Sequence, residues 1–195
     1  MLILDEISVA FGQKRVLDRC SLKLEKGQRI ALMGPSGCGK TTLARAALGL
    51  HVPDSGTVEN SFRTTAAVFQ EPRLLPWATA VENVNLILSD REETMPQARS
   101  WLERLELGDA MDLYPEELSG GMQQRLSIAR ALAFEPELRV MDEPFKAMDE
   151  ALKARILRVT ADALGSAALL LITHSEQAAQ ALGCRIFRYD NGQFS

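Results

Sequence analysis

The sequence has little of what marks secreted, metal-rich or membrane-spanning proteins. Its 195 residues include three cysteines, two histidines and two tryptophans. The cysteines lie far apart, which favours neither a disulfide framework nor a metal cluster. The longest uninterrupted aliphatic run, residues 167–172, is far short of the roughly 20 residues that a membrane-spanning helix needs. The first residues also lack the layout of a signal peptide, so we expect the chain to stay in the cytoplasm.

An excess of positive charge is missing as well. The formal net charge is -4 at pH 7, with 46% hydrophobic and 25% charged residues. A general nucleic-acid-binding protein would show a basic excess, so we do not expect nucleic acid as the main partner. The composition is that of a globular chain able to bury one sizeable core, and we expect one domain over residues 1–195.

Glycine, in contrast, is concentrated in the clearest motif of the chain. Residues 30–33 form a short apolar run typical of a buried strand, and residues 34–41 fit the pattern G-x-x-x-x-G-K-S/T. Apolar residues then recur at helical spacing, at Leu43, Ala47 and Leu50. The stretch therefore predicts a strand, a phosphate-binding loop and a helix. The alternative is a glycine-rich turn that binds nothing.

The residue types of this loop suit a polyphosphate. Glycines allow backbone N–H groups to approach the phosphates, and the following helix directs its positive N-terminal end at the anion. Lys40 would neutralise phosphate charge, and the hydroxyl of Thr41 is left to bind Mg²⁺. We therefore predict a nucleotide site here.

The segments on either side of this motif predict more β structure. Alternating apolar residues over 7–11 and 22–24, with a turn signal at 12–14, indicate an opening antiparallel region. Phe11 in this region fits either the core or a stacking platform. Residues 66–69 predict another buried strand, which ends at Gln70.

Residues 72–117 change to a helical pattern. Thr79 followed by Glu82, and Thr94 followed by Gln97, have the spacing of capping boxes, and each pair precedes apolar residues at helical spacing. We predict a helical insert in an otherwise α/β chain.

A second helix of possible chemical interest follows the insert. Ser119, Gly120 and Gly121 precede a long helical pattern, so a serine cap and two glycines lie at its N-terminus. Such an end could bind a phosphate group. A capped helix with a flexible entry is the alternative.

Polar residues with catalytic potential follow two further predicted strands. Asp142 and Glu143 come after residues 138–141, and His174 comes after residues 168–172. Carboxylates at the C-terminal end of a parallel strand face the crevice where α/β sheets bind ligands, so one suits Mg²⁺ and the other water activation. Alone, the pair could be only charges at a helix N-terminus, and a solitary histidine is more often structural. Residues 186–192 predict a terminal hairpin.

Taken together, these features resemble the ATP-binding subunit of ABC transporters over essentially the whole chain. Residues 118–125, LSGGMQQR, are similar to the signature sequence of that family. The resemblance implies an α/β fold: a P-loop NTPase core with a mostly parallel sheet, an antiparallel β region and an inserted helical subdomain over about residues 72–133.

The resemblance also implies roles for individual residues. Phe11 is similar to the aromatic residue that stacks on adenine, Gln70 to the Q-loop glutamine and Asp149 to the D-loop aspartate. It implies Glu143, His174 and Gln70 as catalytic residues, with ATP and Mg²⁺ as the bound species. The implied metal ligands are Thr41, Gln70 and Asp142. The implied ATP-binding residues are Phe11, Gly34, Pro35, Ser36, Gly37, Cys38, Gly39, Lys40, Thr41, Thr42, Ser119, Gly120, Gly121 and Asp149.

The partners that the resemblance implies are a second copy of the chain and a membrane permease. In the head-to-tail homodimer, each ATP lies between residues 34–41 of one subunit and the Ser119 helix end of the other. The chain would be cytoplasmic, bound peripherally to the inner face of the membrane, and an external substrate-binding protein is left open. Residues 70–84 are similar to importers of the nitrate, sulfonate, taurine and thiamine-precursor group. Trp77 is a candidate contact for the permease or, alternatively, packs the insert.

Two segments depart from the family pattern. Lys146 and Met148 stand where serine and leucine are usual, and Ser175 replaces a common aspartate after His174. We expect these changes to alter rate or communication between sites. Two other functions stay open at this point: a soluble ABC ATPase that is not coupled to transport, and a nucleotide sensor without turnover.

Overall fold

The computed structural model describes residues 1–89, 91–190 and 193–194, which fall into two compact units. The first unit comprises Met1–Thr65, Pro136–Glu143 and Ser166–Ser195, and the second comprises Ala66–Glu135 and Pro144–Gly165. The strands are β1 (Leu2–Phe11), β2 (Lys14–Leu24), β3 (Arg29–Met33), β4 (Ser55–Asn60), β5 (Thr65–Val68), β6 (Leu138–Asp142), β7 (Ala168–Ile172), β8 (Arg185–Asp190) and β9 (Gln193–Phe194). The α-helices are α1 (Lys40–Ala47), α2 (Ala80–Leu88), α3 (Met95–Arg104), α4 (Gly120–Ala133), α5 (Glu150–Ala163) and α6 (Glu176–Ala181).

The antiparallel region of the first unit confirms the prediction for the start of the chain. Strands β2, β1 and β4 are neighbours in that order, and β1 is antiparallel to both of the others. Buried residues alternate with more exposed ones in each half of β1, at Leu2 and Leu4 and again at Ile7 and Val9. An irregularity in the pairing with β2 between Leu4 and Ile7 shifts the alternation by one residue. Gly12 takes a φ of +61° in the turn to β2, a conformation that a β-branched residue would resist.

The parallel sheet of the first unit carries the loops that matter for function. Strands β6, β7, β3 and β8 are neighbours in that order and run parallel. Apolar runs build β3 and β7 because both of their faces are covered, and every residue of β7 is buried. Strand β9 pairs antiparallel with β8. The turn of the predicted terminal hairpin, Asn191 and Gly192, lies outside the described residues.

The second unit contains the helices predicted for the insert and the helix after residues 119–121. Helices α2, α3 and α4 pack against one another. The capping box at α2 is confirmed, since the Thr79 backbone N–H donates to the Glu82 carboxylate at 2.7 Å and the Glu82 N–H donates to Thr79 Oγ1 at 3.4 Å. Helix α4 begins after Ser119, as predicted.

The second predicted capping box is wrong. Helix α3 begins at Met95, but the Thr94 side chain makes no capping hydrogen bond. Its hydroxyl instead lies 2.6 Å from Asn85 Oδ1 and 2.8 Å from the Arg91 carbonyl oxygen. A nearby acceptor on α2 thus competes successfully with the local capping geometry.

The predicted extent of the helix after the phosphate loop is also wrong. Helix α1 ends at Ala47, and Leu50 is 61% exposed. Gly49 takes a φ of +69°, and the Leu50 N–H turns back to the Arg45 carbonyl oxygen at 2.8 Å. A left-handed glycine is a common way to end a helix, and it directs Leu50 away from the apolar face.

Candidate nucleotide site

The predicted phosphate loop connects β3 to α1 and passes close to two neighbouring strands. A Cβ at Gly39 would lie 2.5 Å from Leu17 Cδ2 and 2.8 Å from the Val16 carbonyl oxygen, and Gly39 has a φ of +102°. A Cβ at Gly34 would lie 2.6 Å from Tyr189 Cβ. Glycine is therefore required at position 39 by packing against β2 and at position 34 by packing against β8, whatever the loop binds.

The Lys40 ammonium group lies inside the loop. Its Nζ donates to the carbonyl oxygens of Gly34 at 2.7 Å and Pro35 at 2.9 Å, and it lies 3.8 Å from Cys38 Sγ. Lys40 is only 7% exposed. The loop backbone therefore surrounds the positive charge of Lys40 and holds it in place. Cys38, Ser36 and Thr42 complete the predicted phosphate-binding stretch, with Cys38 buried, Ser36 exposed and Thr42 half-buried.

The N-terminus of α1 is left without a side-chain cap. Gly39 is the residue before the helix, and no side chain among the described residues makes a capping hydrogen bond to it. The first turn of any helix has backbone N–H groups without an intrahelical partner, and its dipole favours an anion there. These N–H groups therefore face the same loop that holds the Lys40 ammonium group.

Thr41 and Asp142 form an oxygen pair at the edge of the parallel sheet. The Thr41 hydroxyl donates to Asp142 Oδ2 at 2.6 Å, and Asp142, the last residue of β6, is 4% exposed. Mg²⁺ prefers oxygen ligands and usually keeps waters and substrate phosphates in its shell, so it needs few groups from the protein. The donor set therefore fits this ion.

Glu143 and His174 lie at the same sheet edge, beyond the ends of β6 and β7. Strands β6 and β7 are parallel neighbours in which Asp142 aligns with Ile172, so the residues that follow them meet. Glu143 Oε1 lies 3.4 Å from His174 Nε2, and the Glu143 N–H donates to the Ile172 carbonyl oxygen at 2.9 Å. The side chain of Glu143 is 15% exposed and that of His174 is 55% exposed.

The backbone of Glu143 is in an unusual conformation. Its φ is +48°, a region that costs a non-glycine residue of order 1–3 kcal/mol and is concentrated at functional sites. The conformation directs the chain out of β6 immediately after Asp142. Of the residues predicted for the site, the first unit thus brings Thr41, Asp142, Glu143 and His174 together around the end of the parallel sheet.

Phe11 is placed at the surface of the first unit, which excludes the core alternative. It is 54% exposed, and its ring pairs with that of His51 at a centroid distance of 5.5 Å and an interplanar angle of 41°. Sequence reasoning did not single out His51. The sequence offered one weak signal for it: His51 is one of only two histidines in the chain, and it lies shortly after the predicted helix.

The remaining predicted residues belong to the second unit. Gln70 follows β5 and is exposed. Ser119 Oγ accepts from the Met122 N–H at 3.3 Å, and Asp149 Oδ1 accepts from the Leu152 N–H at 2.9 Å, so each caps the helix that follows. A Cβ at Gly121 would lie 3.0 Å from the Ala147 carbonyl oxygen, whereas one at Gly120 would meet nothing within 4 Å among the described residues.

A charged cluster that sequence reasoning missed supports the helix after Ser119. Arg155 on α5 binds both carboxylate oxygens of Glu106, and Arg125 on α4 donates to the carbonyl oxygens of Leu105 and Glu106. The hydrogen bond from Arg155 holds the pKa of the Glu106 carboxyl below its ordinary value. Glu106 has a φ of +55°. These contacts tie α4 and α5 to the end of α3.

None of the helices in the described part of the chain has the length and hydropathy of a membrane-spanning segment.

A family model described as ABC transporter matches residues 17–146. Among curated proteins, the L-cystine import ATP-binding protein of Bacillus subtilis is 36% identical over 98% of this chain and 87% of its own length. An aliphatic sulfonates import ATP-binding protein of Nocardia farcinica is 39% identical over 95% of this chain and 76% of its own length.

A solved structure gives the same result. A dimeric ATP-binding cassette in a post-hydrolysis state, bound to ADP and Pi, matches with a TM-score of 0.88 and 27% identity, covering 100% of this chain and 97% of that one. This likeness confirms the predicted α/β cassette fold with its parallel core, antiparallel region and helical insert. The chain belongs to the ABC transporter family, in which it is the ATP-hydrolysing subunit that powers translocation by a separate permease.

Proposed function

We propose that two copies of this chain bind ATP head to tail and power the import of a small solute by a membrane permease. The observation that carries the proposal is the sheet edge at which Thr41, Asp142, Glu143 and His174 meet beside the Lys40 loop. This edge offers a cation, an oxygen pair for a metal ion and a carboxylate next to an imidazole, which are the parts that phosphoryl transfer to water requires.

The first unit would bind the nucleotide. Phe11 stacks on the base, while Lys40 and the backbone N–H groups of the loop over residues 34–42, in which only Pro35 has none to donate, bind the β- and γ-phosphates. On binding, the Lys40 ammonium group exchanges its bonds to the Gly34 and Pro35 carbonyl oxygens for phosphate oxygens.

The oxygen pair would hold Mg²⁺. Thr41 and Asp142 supply ligands directly or through water, and we assign Gln70 the same role on resemblance. The ion supplies charge that neutralises the phosphates and fixes their orientation.

Hydrolysis would use Glu143 and His174. The Glu143 carboxylate accepts a proton from a water molecule whose oxygen attacks the γ-phosphorus, and the bond to the β–γ bridging oxygen breaks to give ADP and inorganic phosphate. His174 donates a hydrogen bond to a γ-phosphate oxygen. The 3.4 Å between Glu143 Oε1 and His174 Nε2 lets one water lie within reach of both groups.

The dimer would complete each site. Ser119, Gly120 and Gly121 at the N-terminus of α4 contact the γ-phosphate held by the other subunit, and Asp149 lies at the same interface. The open space around Gly120 supports the approach of a ligand to this helix end. The dimeric state of the solved cassette that holds ADP and Pi supports this arrangement.

The proposal also covers the surface that docks to the permease and the class of solute that the permease carries. We assign the chain to one cassette domain over residues 1–195, with residues of about 72–133 as the subdomain that docks to the permease on the inner face of the membrane. Trp77 in this subdomain is 72% exposed, which favours a partner contact over internal packing. The sulfonate relative supports a small organic anion as cargo. An inorganic anion or a thiamine precursor, and an external substrate-binding protein that would deliver the cargo, are proposed only on the resemblance of residues 70–84 to that group of importers.

Membrane association provides the test of this function. We expect the tagged chain to sediment with membranes from its own cells, and Trp77→Glu to release it while its Kd for ATP stays unchanged. Leu50→Glu, at a 61% exposed apolar residue of the first unit, is the matched control and should stay bound. A wild-type chain found free of membranes, or with ribosomes, would contradict the proposal and favour an ABC ATPase without a transport role.

A further inference from the structure

The loop that follows α1 is fixed against the end of β1. The backbone N–H of Ala10 donates to Asp54 Oδ2 at 2.7 Å, and the N–H of Asp54 donates to the Ser8 carbonyl oxygen at 2.9 Å. A Cβ at Gly56 would lie 2.5 Å from the carbonyl oxygens of Asp5 and Glu6, so β4 begins in close contact with the same strand. Residues 51–54 are therefore held beside the last residues of β1.

This placement brings an imidazole ring to Phe11. The rings of Phe11 and His51 are 5.5 Å apart between centroids and inclined by 41°, which is within the range of favourable aromatic pairs. Phe11 is the last residue of β1, and 54% of its surface stays exposed despite the contact. The pair therefore restrains one part of the ring and leaves the rest open to a ligand.

We propose that His51 is the positioning residue for the adenine-stacking ring of Phe11; this inference rests on the proposed role of Phe11. An exposed phenylalanine can occupy several rotamers, and a base that stacks on it must select one of them. A neighbouring ring, on a loop that the Ala10 and Asp54 hydrogen bond holds beside β1, reduces that choice before the base arrives. His51 thus acts on the base of the nucleotide and has no effect on its phosphates.

The loop should tolerate substitution at position 51. His51 lines a cavity of about 420 Å³ together with Val52, Pro53 and the C-terminal end of α1, so loss of the ring enlarges an existing space. The hydrogen bonds of Asp54 that fix the loop do not involve the imidazole. A loss of nucleotide affinity in a variant can then be assigned to the ring.

The test compares two ligands by calorimetry, ATP and inorganic tripolyphosphate, each with the same chain. For His51→Ala we expect the Kd for ATP to rise about 2-fold to 10-fold, the range of one aromatic pair, and the Kd for tripolyphosphate to stay within about 2-fold. His51→Phe should restore the affinity for ATP because it keeps a ring in place. Val52→Ala, at the 84% exposed neighbour in the same loop, is the matched control and should bind both ligands normally.

A double variant separates positioning from direct contact with the base. If His51 acts through Phe11, His51→Ala should add no further loss of ATP affinity in a Phe11→Ala background. An additional loss there would overturn the inference, and so would equal losses for ATP and tripolyphosphate. Weak ATP binding by Phe11→Ala with normal binding by His51→Ala would also refute it and leave the proposed role of Phe11 standing. Normal ATP binding by Phe11→Ala would refute the proposed role itself.

Discussion

The N-termini of α1 and α4 differ in how their backbone N–H groups are used. At α1, the preceding residue is Gly39, and within the described part of the chain no side chain makes a capping hydrogen bond. At α4, the hydroxyl of Ser119 accepts from the Met122 N–H. The α1 end also has the Lys40 ammonium group beside it, whereas the first turn of α4 is made of two glycines, a methionine and a glutamine.

The difference suggests two kinds of phosphate-binding end. The α1 end has a fixed positive charge and N–H groups without a side-chain cap, so we expect it to hold a nucleotide in the isolated subunit. The α4 end is already stable without a ligand and offers a hydroxyl and an open glycine surface. It is therefore suited to contact a phosphate that another subunit presents, and we expect damage at the two ends to have different consequences.

The largest effect should come from Glu143→Gln, which leaves both helix ends intact. Loss of the carboxylate that we propose as the acceptor of the proton of the attacking water should lower the rate of ATP hydrolysis by about 10²-fold to 10⁴-fold. The Kd for ATP should stay within about 2-fold of wild type, because an amide keeps the size of the side chain. Steady-state phosphate release and equilibrium binding measure the two quantities.

The matched control for this change is Glu176→Gln. Glu176 lies two residues after His174 and forms an exposed ion pair with Arg188. Its substitution should leave hydrolysis unchanged. Equal loss of hydrolysis in the two variants would contradict the proposed role of Glu143 as the proton acceptor.

The next largest effect should come from Lys40→Met, which breaks the α1 end. Removal of one partner of a buried charged contact costs about 2–5 kcal/mol, which corresponds to a rise of about 30-fold or more in the Kd for ATP. Equilibrium binding to the isolated subunit measures it. Lys26→Met removes a charge that is 70% exposed and should have little effect. A Lys40→Met chain that binds ATP as wild type would show that α1 is not the primary phosphate site.

The α4 end can be altered in two ways that separate stability from ligand contact. Ser119→Ala removes the helix cap and should lower the free energy of unfolding by about 1 kcal/mol, as measured by urea denaturation. Ser119→Asp keeps a capping oxygen but adds a negative charge, so unfolding should change little while ATP-dependent dimerisation weakens by about 10-fold or more.

ATP binding to the monomer should be unchanged in both Ser119 variants. Thr79→Asp, at the capped N-terminus of α2 in the same unit, is the control and should dimerise normally. Normal dimerisation of Ser119→Asp would show that α4 does not meet a phosphate.

The smallest effect should come from the cluster that supports α4. The Arg155 hydrogen bond keeps the pKa of Glu106 below its ordinary value of 4.5, so the ion pair stabilises the fold above that value and is lost as the pH falls through the lowered pKa. Because both side chains are substantially exposed, Glu106→Gln should lower the free energy of unfolding by less than about 1 kcal/mol at pH 7.

The lowered pKa of Glu106 also predicts how the stability difference between wild type and Glu106→Gln changes with pH. The difference between wild type and Glu106→Gln, measured by urea denaturation, should shrink as the pH falls below 4.5, where the carboxylate becomes protonated. A difference that grows toward low pH would contradict the assigned ion pair.

Sequence patterns predicted the parts of the fold that depend on local chemistry. The apolar runs of β3 and β7, the glycines of the phosphate loop and the Thr79 cap are each specified by residues close together in the chain. The end-of-strand rule also placed Glu143 and His174 at one sheet edge, as the parallel pairing of β6 and β7 requires.

The sequence could not predict contacts between distant residues. Two such contacts are the ring pair of Phe11 with His51 and the ion pair of Arg155 with Glu106. Each joins residues about 40 or more positions apart, and no sequence periodicity predicts contacts of this kind. Thr94 shows the converse case: its spacing fits a capping box, but its hydroxyl bonds Asn85 on α2 and does not cap α3. Leu50 had the right spacing for α1, but Gly49 ended the helix first.

The most direct test of the central claim mixes two damaged chains. Both carry Glu143→Gln to prevent turnover; one also carries Lys40→Met and the other Ser119→Arg, and each alone should stay monomeric with ATP in sedimentation experiments. If the α1 end of one subunit and the α4 end of its partner form each site, the mixture regains one intact site per dimer. We predict an ATP-dependent dimer with one ATP per two chains in the mixture. A mixture that stays monomeric like its components would contradict the account.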